Sequence, residues 1–438
     1  MECLRPCVSG GKDDRLTEEK RHKMNLMRRI SAVISKIKVW GITGIVSFLK
    51  RKYEYLIQRR RIVRCVQLSA ATEPQRGMTV IGELTSQVSL SKTMRDFILN
   101  LQDAGIPCQT YDTCLTPHIP PQDVARIVTP IADFDIGRYS HIVMMYRSPL
   151  PDGLLPKCKR TRIVFYDSEY GIHEMLPYLR ESGEGIVAMS DFNYEYFKRV
   201  FPSQPVFKIV YPFRFMLREA TPRDELRVKY GIAKDDFVVF FNFDFGSYYR
   251  KNIPAALKAF AKAFGGDATA KLLFKTKGAR ANRKQVKEMM HAVEELGISR
   301  QFIHIPQYLP RADIDGLTSA CDVYLSLHKS EGFGIGMAEA MSQGKPVVAT
   351  NWSANTEFCR PDTAWCIPYR MVPILPHEYP VEMKEWAEAD VEAAAEALRE
   401  IRSNPVTAAA RAMKGKAFME KHFSVAQFKE EVEKILDD

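Results

Sequence analysis

The sequence predicts an α/β protein of two Rossmann-like domains facing across a cleft, preceded by a basic helical extension. Three observations predict it. Short apolar runs alternate with amphipathic stretches twice along the chain, the pattern of parallel sheets covered on both faces. At 438 residues the chain exceeds what one hydrophobic core usually serves. Its formal charge of +10 lies at one end: residues 1–65 hold 17 Lys and Arg against 6 Asp and Glu, leaving 46 against 47 in the rest.

The extension, residues 1–70, places Leu26, Ile30, Val33, Ile34 and Ile37 at helical spacing with Arg28, Arg29, Lys36 and Lys38 between them. The uncharged run Val39 to Leu49 has 11 residues, short of the ~20 that cross a bilayer. Tyr53, Leu56 and Ile57 then lead into Arg59, Arg60 and Arg61. An apolar stripe with basic flanks suits an anionic membrane surface, so residues 24–64 are expected to hold the chain peripherally on the cytoplasmic face of a membrane. The near-neutral body argues against nucleic acid as a partner. Nine dispersed cysteines without a C-x-x-C pair fit reduced thiols in the cytosol and give no zinc site.

The first domain, residues 71–222, reads as strand Met78 to Gly82, helix Ser91 to Asp103 stopped at Gly105, and strands His141 to Met145, Arg162 to Tyr166 and Gly185 to Met189. Ser190 then caps a helix from Phe192 to Val200. A stretch with Pro212, Arg214, Arg218, Thr221, Pro222 and Arg223 reads as a linker over 212–225. The second domain, residues 223–405, opens with strand Phe237 to Phe241, a loop, and a helix from Pro254 to Phe264, proline standing where its missing N–H costs nothing. Strand Lys271 to Lys275, helix Arg283 to Leu296, and strands Phe302 to Ile305, Val323 to Leu327, Pro346 to Ala349 and Ala364 to Ile367 complete it. Residues 406–438 are expected to form helices that pack back toward the first domain.

The densest signal runs from Asp322 to Glu357. A loop from His328 to Gly336 joins strand Val323 to Leu327 to a helix from Met337 to Gln343, and Gly344 supplies a left-handed stop. Gly332, Gly334 and Gly336 let backbone approach a ligand, and amides at a helix N-terminus hold a diphosphate. Ligands of such sheets sit beyond the carboxyl ends of the strands.

The phrase Asp-Val-Tyr-Leu-Ser-Leu-His-Lys-Ser-Glu-Gly-Phe-Gly, followed by Met-Ala-Glu-Ala-Met-Ser-Gln-Gly-Lys-Pro-Val-Val-Ala-Thr, resembles the retaining glycosyltransferases of family four. These have the GT-B fold and carry two glutamates separated by seven residues, here Glu331 and Glu339. The resemblance implies a nucleoside-diphosphate sugar as co-substrate, no further cofactor and no metal. It places Glu331 at the donor-sugar hydroxyls, Glu339 at the ribose hydroxyls, and the amides after Glu331 on the diphosphate. Ser330, Gly332, Phe333, Gly334, Ile335 and His328 belong to the same donor loop. A lysine and an arginine hold the phosphates in this family. Lys251 matches the lysine, but Asn242-Phe243-Asp244 stands where the arginine would be, so Arg250 or Lys275 is expected to replace it. Glu331, Lys251 and Arg250 are thus the catalytic candidates.

Asp133-Phe134-Asp135 and Asp313-Ile314-Asp315 look like metal-binding D-x-D pairs, but turn and helix capping explains both. The first domain would bind the acceptor, with Glu169, Tyr170 and His173 as lining candidates. The basic extension points to a membrane-associated glycan or glycolipid acceptor in cell-surface polysaccharide synthesis. A sugar-nucleotide epimerase or phosphorylase of the same fold, or a membrane-bound scaffold with a decayed site, are the rival readings.

Overall fold

The computed structural model describes residues 53, 56–65, 73–86, 89–114, 124–145, 158–163, 179, 184–210, 220–375, 378 and 385–438. Met1–Ile62 form one unit and Val63–Asp438 a second. In the first, residues 56–62 are helical, and Tyr53 and Leu56 are 66% and 53% exposed. The rest of the expected amphipathic stretch, residues 24–52, lies outside the described residues.

The second unit holds two six-stranded parallel sheets and one two-stranded sheet. The first sheet contains β1 (Gln75–Gly82), β2 (Cys108–Asp112), β3 (Tyr139–Met145), β4 (Lys159–Ile163), β5 (Gly185–Ala188) and β6 (Val206–Lys208), in the order β2-β1-β3-β4-β5-β6. Helix α1 (Ser89–Asp103) follows β1, and α2 (Asp191–Val200) follows β5. Ser190 caps α2 as expected, its hydroxyl accepting from the Asn193 amide at 3.2 Å. The strand expected at Arg162 to Tyr166 instead begins at Lys159, which pairs with His141. Its charged start hides it, because Arg162 is buried through a two-point ion pair with Glu184, Nε to Oε2 at 2.7 Å and Nη2 to Oε1 at 3.2 Å.

The second sheet contains β7 (Phe237–Asp244), β8 (Ala270–Lys277), β9 (Phe302–Ile305), β10 (Val323–Ser326), β11 (Val347–Thr350) and β12 (Trp365–Ile367), in the order β12-β11-β10-β7-β8-β9. Central strand β7 reads Phe-Val-Val-Phe-Phe before its first polar residue, the unbroken apolar run that burial on both faces requires. Helices α3 (Arg223–Lys229), α4 (Ile253–Phe264), α5 (Arg283–Glu295), α6 (Arg311–Ala320) and α7 (Ile335–Ser342) belong to this half. Helix α3 starts inside the stretch read as a linker. The strand order reverses between β7 and β10, and at such a switch the loops on either side diverge and leave a crevice.

An antiparallel pair not expected from sequence, β13 (Tyr369–Pro373) and β14 (Glu385–Ala389), comes after β12. Helices α8 (Val391–Ser403), α9 (Pro405–His422) and α10 (Val425–Asp437) close the chain. Helix α10 lies on the first half: Phe428 meets Phe97 of α1 edge to face at 5.4 Å, and Arg76 pairs with Asp437 at 2.6 Å and with Glu433.

Candidate active site

The crevice at the β7/β10 switch gathers most of the expected donor residues. After β7 the chain makes a short 3-10 turn, Phe245–Ser247, and reaches Arg250 and Lys251. Asn252 then turns it into α4 in the left-handed region, φ 54, which asparagine tolerates better than most residues. After β10 the loop His328 to Gly334 runs beside this turn, joined to it by the Lys329 amide donating to the Arg250 carbonyl at 2.7 Å.

Glu331 is the electrostatic centre. Its side chain is buried, with Lys251 Nζ on Oε1 and Arg250 Nη1 3.6 Å from Oε2. Burial pushes the carboxyl up, but the Lys251 and Arg250 charges outweigh it and hold Glu331 at about 2. It is therefore a permanent carboxylate at neutral pH. Arg250 also donates to the Ser330 carbonyl at 2.9 Å, so it braces the loop as well as facing the glutamate.

Gly334 enters α7 in the left-handed region, φ 98, where an added Cβ would lie 2.4 Å from Met337 Cε. This turn aims the Ile335 and Gly336 amides out of the helix, where no preceding carbonyl can bond them. Gly336 is required for a second reason: a Cβ there would lie 2.0 Å from Tyr324 Oη. That hydroxyl donates to Asn242 Oδ1 at 2.6 Å. Glu339, one turn into α7, is buried and ion-paired to Arg311 at the start of α6. Lys92 of α1 reaches it from the first half at 3.8 Å while also pairing with Asp96.

Other donor-loop residues have structural partners. His328 is fully buried, Nδ1 3.0 Å from Ser326 Oγ and Nε2 2.9 Å from Asn355 Oδ1; burial lowers its pKa, so it is a neutral ring that shapes the loop. The Phe333 ring packs on Phe358 and Phe423 at 5.2 and 5.7 Å. Lys275 of β8 stands in register with Asn242, beside the place of the missing arginine. It is buried under Tyr308, Nζ 5.5 Å from the ring centroid, with no ion-pair partner among the described residues, and burial lowers its pKa. Glu169, Tyr170 and His173 lie outside the described residues.

Several contributors escaped the sequence reading. Ser353 Oγ accepts from the Glu331 amide at 2.9 Å, and the Ala354 amide donates to the Glu331 carbonyl at 3.3 Å. Ser190, at the start of α2, donates to the Gly332 carbonyl at 3.3 Å, and the Asp191 amide donates to Glu357. The two halves thus meet at the loop after β10. Lys329 is clasped by the β13–β14 segment: Glu378 at 3.1 Å, Glu388 at 2.9 Å, and the Trp386 ring at 4.6 Å. The signal for Ser353 and Glu357 was the polar run Ser-Ala-Asn-Thr-Glu after β11. The two D-x-D pairs do local work, Asp135 accepting from the Gly137 amide at 3.0 Å and Asp313 from Thr221 at 2.6 Å. Among the described residues no cluster of His, Cys, Asp and Glu could hold a metal.

Two parallel Rossmann-like sheets with a glycine-rich loop at a switch point are the architecture of the GT-B fold. Solved structures share this architecture. The chain is similar to the Anabaena Alr3699/HepE protein crystallised with UDP-glucose (TM-score 0.61, 14% identity, covering 83% of this chain and 100% of that one). It is similar to a glycosyltransferase from Rickettsia africae (TM-score 0.60, 12% identity, 83% and 98% covered). It is also similar to sucrose-phosphate synthase from Thermosynechococcus elongatus (TM-score 0.58, 15% identity, 82% and 98% covered). No curated protein matches the sequence. Residues 222–370 match the family model of glycosyl transferases group 1.

Proposed function

We propose that the chain moves a sugar from a nucleoside-diphosphate donor to a hydroxyl of a membrane-associated glycan or glycolipid. The observation that carries this is the buried Glu331, Lys251 and Arg250 cluster beside the open amides of α7. A UDP-sugar is the first donor to test, because the similar Anabaena protein was crystallised with UDP-glucose. The diphosphate rests on the Ile335 and Gly336 amides with Lys251, and Lys275 supplies charge where the arginine is missing. Glu339, fixed by Arg311, takes the ribose hydroxyls. These donors stabilise charge as the bond from the anomeric carbon to the phosphate oxygen breaks.

With its carboxyl at about 2, Glu331 has no proton to give and serves as an acceptor for donor-sugar hydroxyls. The acceptor oxygen bonds to the anomeric carbon on the face the diphosphate leaves, and its proton passes to a departing phosphate oxygen. The membrane part of the reading rests on the charge of residues 1–65 and on exposed Tyr53 and Leu56 beside Arg59 to Arg61. Among the described residues no helix is long and apolar enough to span a bilayer.

The test is hydrolysis and transfer measured over UDP-, GDP- and dTDP-sugars with the full chain and with Glu331→Ala. One donor class should be consumed by the full chain, with loss of turnover in a variant that still folds. Near-normal turnover by Glu331→Ala would overturn the assignment, and conversion of the donor to another sugar nucleotide without acceptor would favour an epimerase.

A further inference from the structure

We propose that Trp352, Tyr369 and Phe192 form a stacking platform for the sugar ring of the acceptor, which makes the acceptor a pyranoside. The inference rests on the donor-site reading above. Trp352 lies in the loop after β11, Tyr369 starts β13, and Phe192 belongs to the first turn of α2 in the other half. The Trp352 ring meets that of Phe192 edge to face at 5.8 Å and that of Tyr369 tilted by 49° at 5.3 Å, so the three rings make an angled aromatic wall that crosses from one half to the other.

The platform is tied to the reaction centre. The Trp352 carbonyl lies 3.2 Å from His328 Nε2, and the next residue, Ser353, holds the Glu331 amide through its hydroxyl. Ser353 adopts φ 73 and ψ −155, a region occupied almost only by glycine and strained for a side chain. Strain of this kind persists where surrounding contacts over-determine it, and here it fixes Trp352 one residue from the contact that sets Glu331.

The exposed surface matches a sugar better than a lipid tail. Tyr369 is 37% and Met371 39% exposed, and both share a face of the β13–β14 pair. Asn351, the chain neighbour of Trp352, is also exposed. Aromatic faces carry negative charge that attracts the weakly positive C–H bonds of a pyranose, while polar neighbours bond its hydroxyls.

Saturation-transfer NMR on the full chain with UDP tests this, using the methyl α- and β-pyranosides of glucose, galactose, mannose and N-acetylglucosamine as probes, and dihexanoyl phosphatidylglycerol in a parallel arm. At least one glycoside should be saturated along one ring face. Its signal should fall about three- to tenfold in Tyr369→Ser and Trp352→Leu and persist in Tyr369→Phe. The platform is overturned if no glycoside is saturated, if Tyr369→Ser leaves the signal intact, or if only the phospholipid is saturated and Tyr369→Ser removes it. Thermal stabilisation by UDP separates the two readings: UDP binding without glycoside binding sinks the platform alone, and loss of both sinks the donor site with it.

Discussion

Replacing Lys251 by methionine tests the centre of the site, because it keeps the aliphatic stem and removes the charge on Glu331. The Glu331 carboxyl falls from its ordinary 4.5 to about 2, which corresponds to about 3 kcal/mol favouring the carboxylate in the folded state. Arg250 remains 3.6 Å from Oε2 and retains part of this, so Lys251→Met should cost about 2 kcal/mol of stability at pH 7. The pKa is depressed in the folded state, so the contribution is complete above pH 4.5 and is lost as pH falls toward 2. The stability gap between the parent and variant should therefore be level from neutral pH to about 4.5 and narrow below it. Activity should fall further, because a cation aimed at the leaving diphosphate is worth on the order of 10²–10³ in kcat. Denaturant melts across pH and steady-state donor hydrolysis measure the two effects. A variant within about threefold of the parent in kcat/KM, with unchanged stability, would refute the role given to Lys251.

Glu357 gives a prediction of opposite sign. Burial raises its carboxyl to about 7, while the Asp191 amide and Lys208 oppose the rise. The folded state therefore binds the proton more tightly, and stability contributed by the neutral acid is lost as pH climbs from 4.5 through about 7. Glu357→Gln should flatten that slope and raise Tm at pH 8; an unchanged slope would count against it. Deleting residues 1–65 should reduce binding to anionic vesicles by about 1 kcal/mol per basic residue that reaches the surface. Sedimentation with phosphatidylglycerol vesicles checks this, and undiminished binding would remove the membrane reading.

The donor loop was legible because its signals are local. Three glycines, two glutamates and a left-handed stop fall in one strand-loop-helix unit, and Gly344 indeed sits at φ 70. The supports of those residues were not legible, since Arg311, Lys92, Ser353 and Ser190 reach the loop from other elements. Strand β4 was displaced in the sequence reading because Lys159 and Arg160 look like surface, whereas parallel pairing with β3 decides the matter. The β13–β14 pair was missed because Tyr-Arg-Met-Val-Pro shows neither a clean alternation nor a tight turn, and its stability comes from Trp386 and Glu388 closing on Lys329.

The contact of Ser190 with the Gly332 carbonyl makes the loop after β10 a joint between the halves. Any hinge opening of the crevice breaks that hydrogen bond and the one from Asp191 to Glu357 together. The loop thus couples the position of the opposite half to Glu331 and its neighbours, the residues proposed to hold the donor.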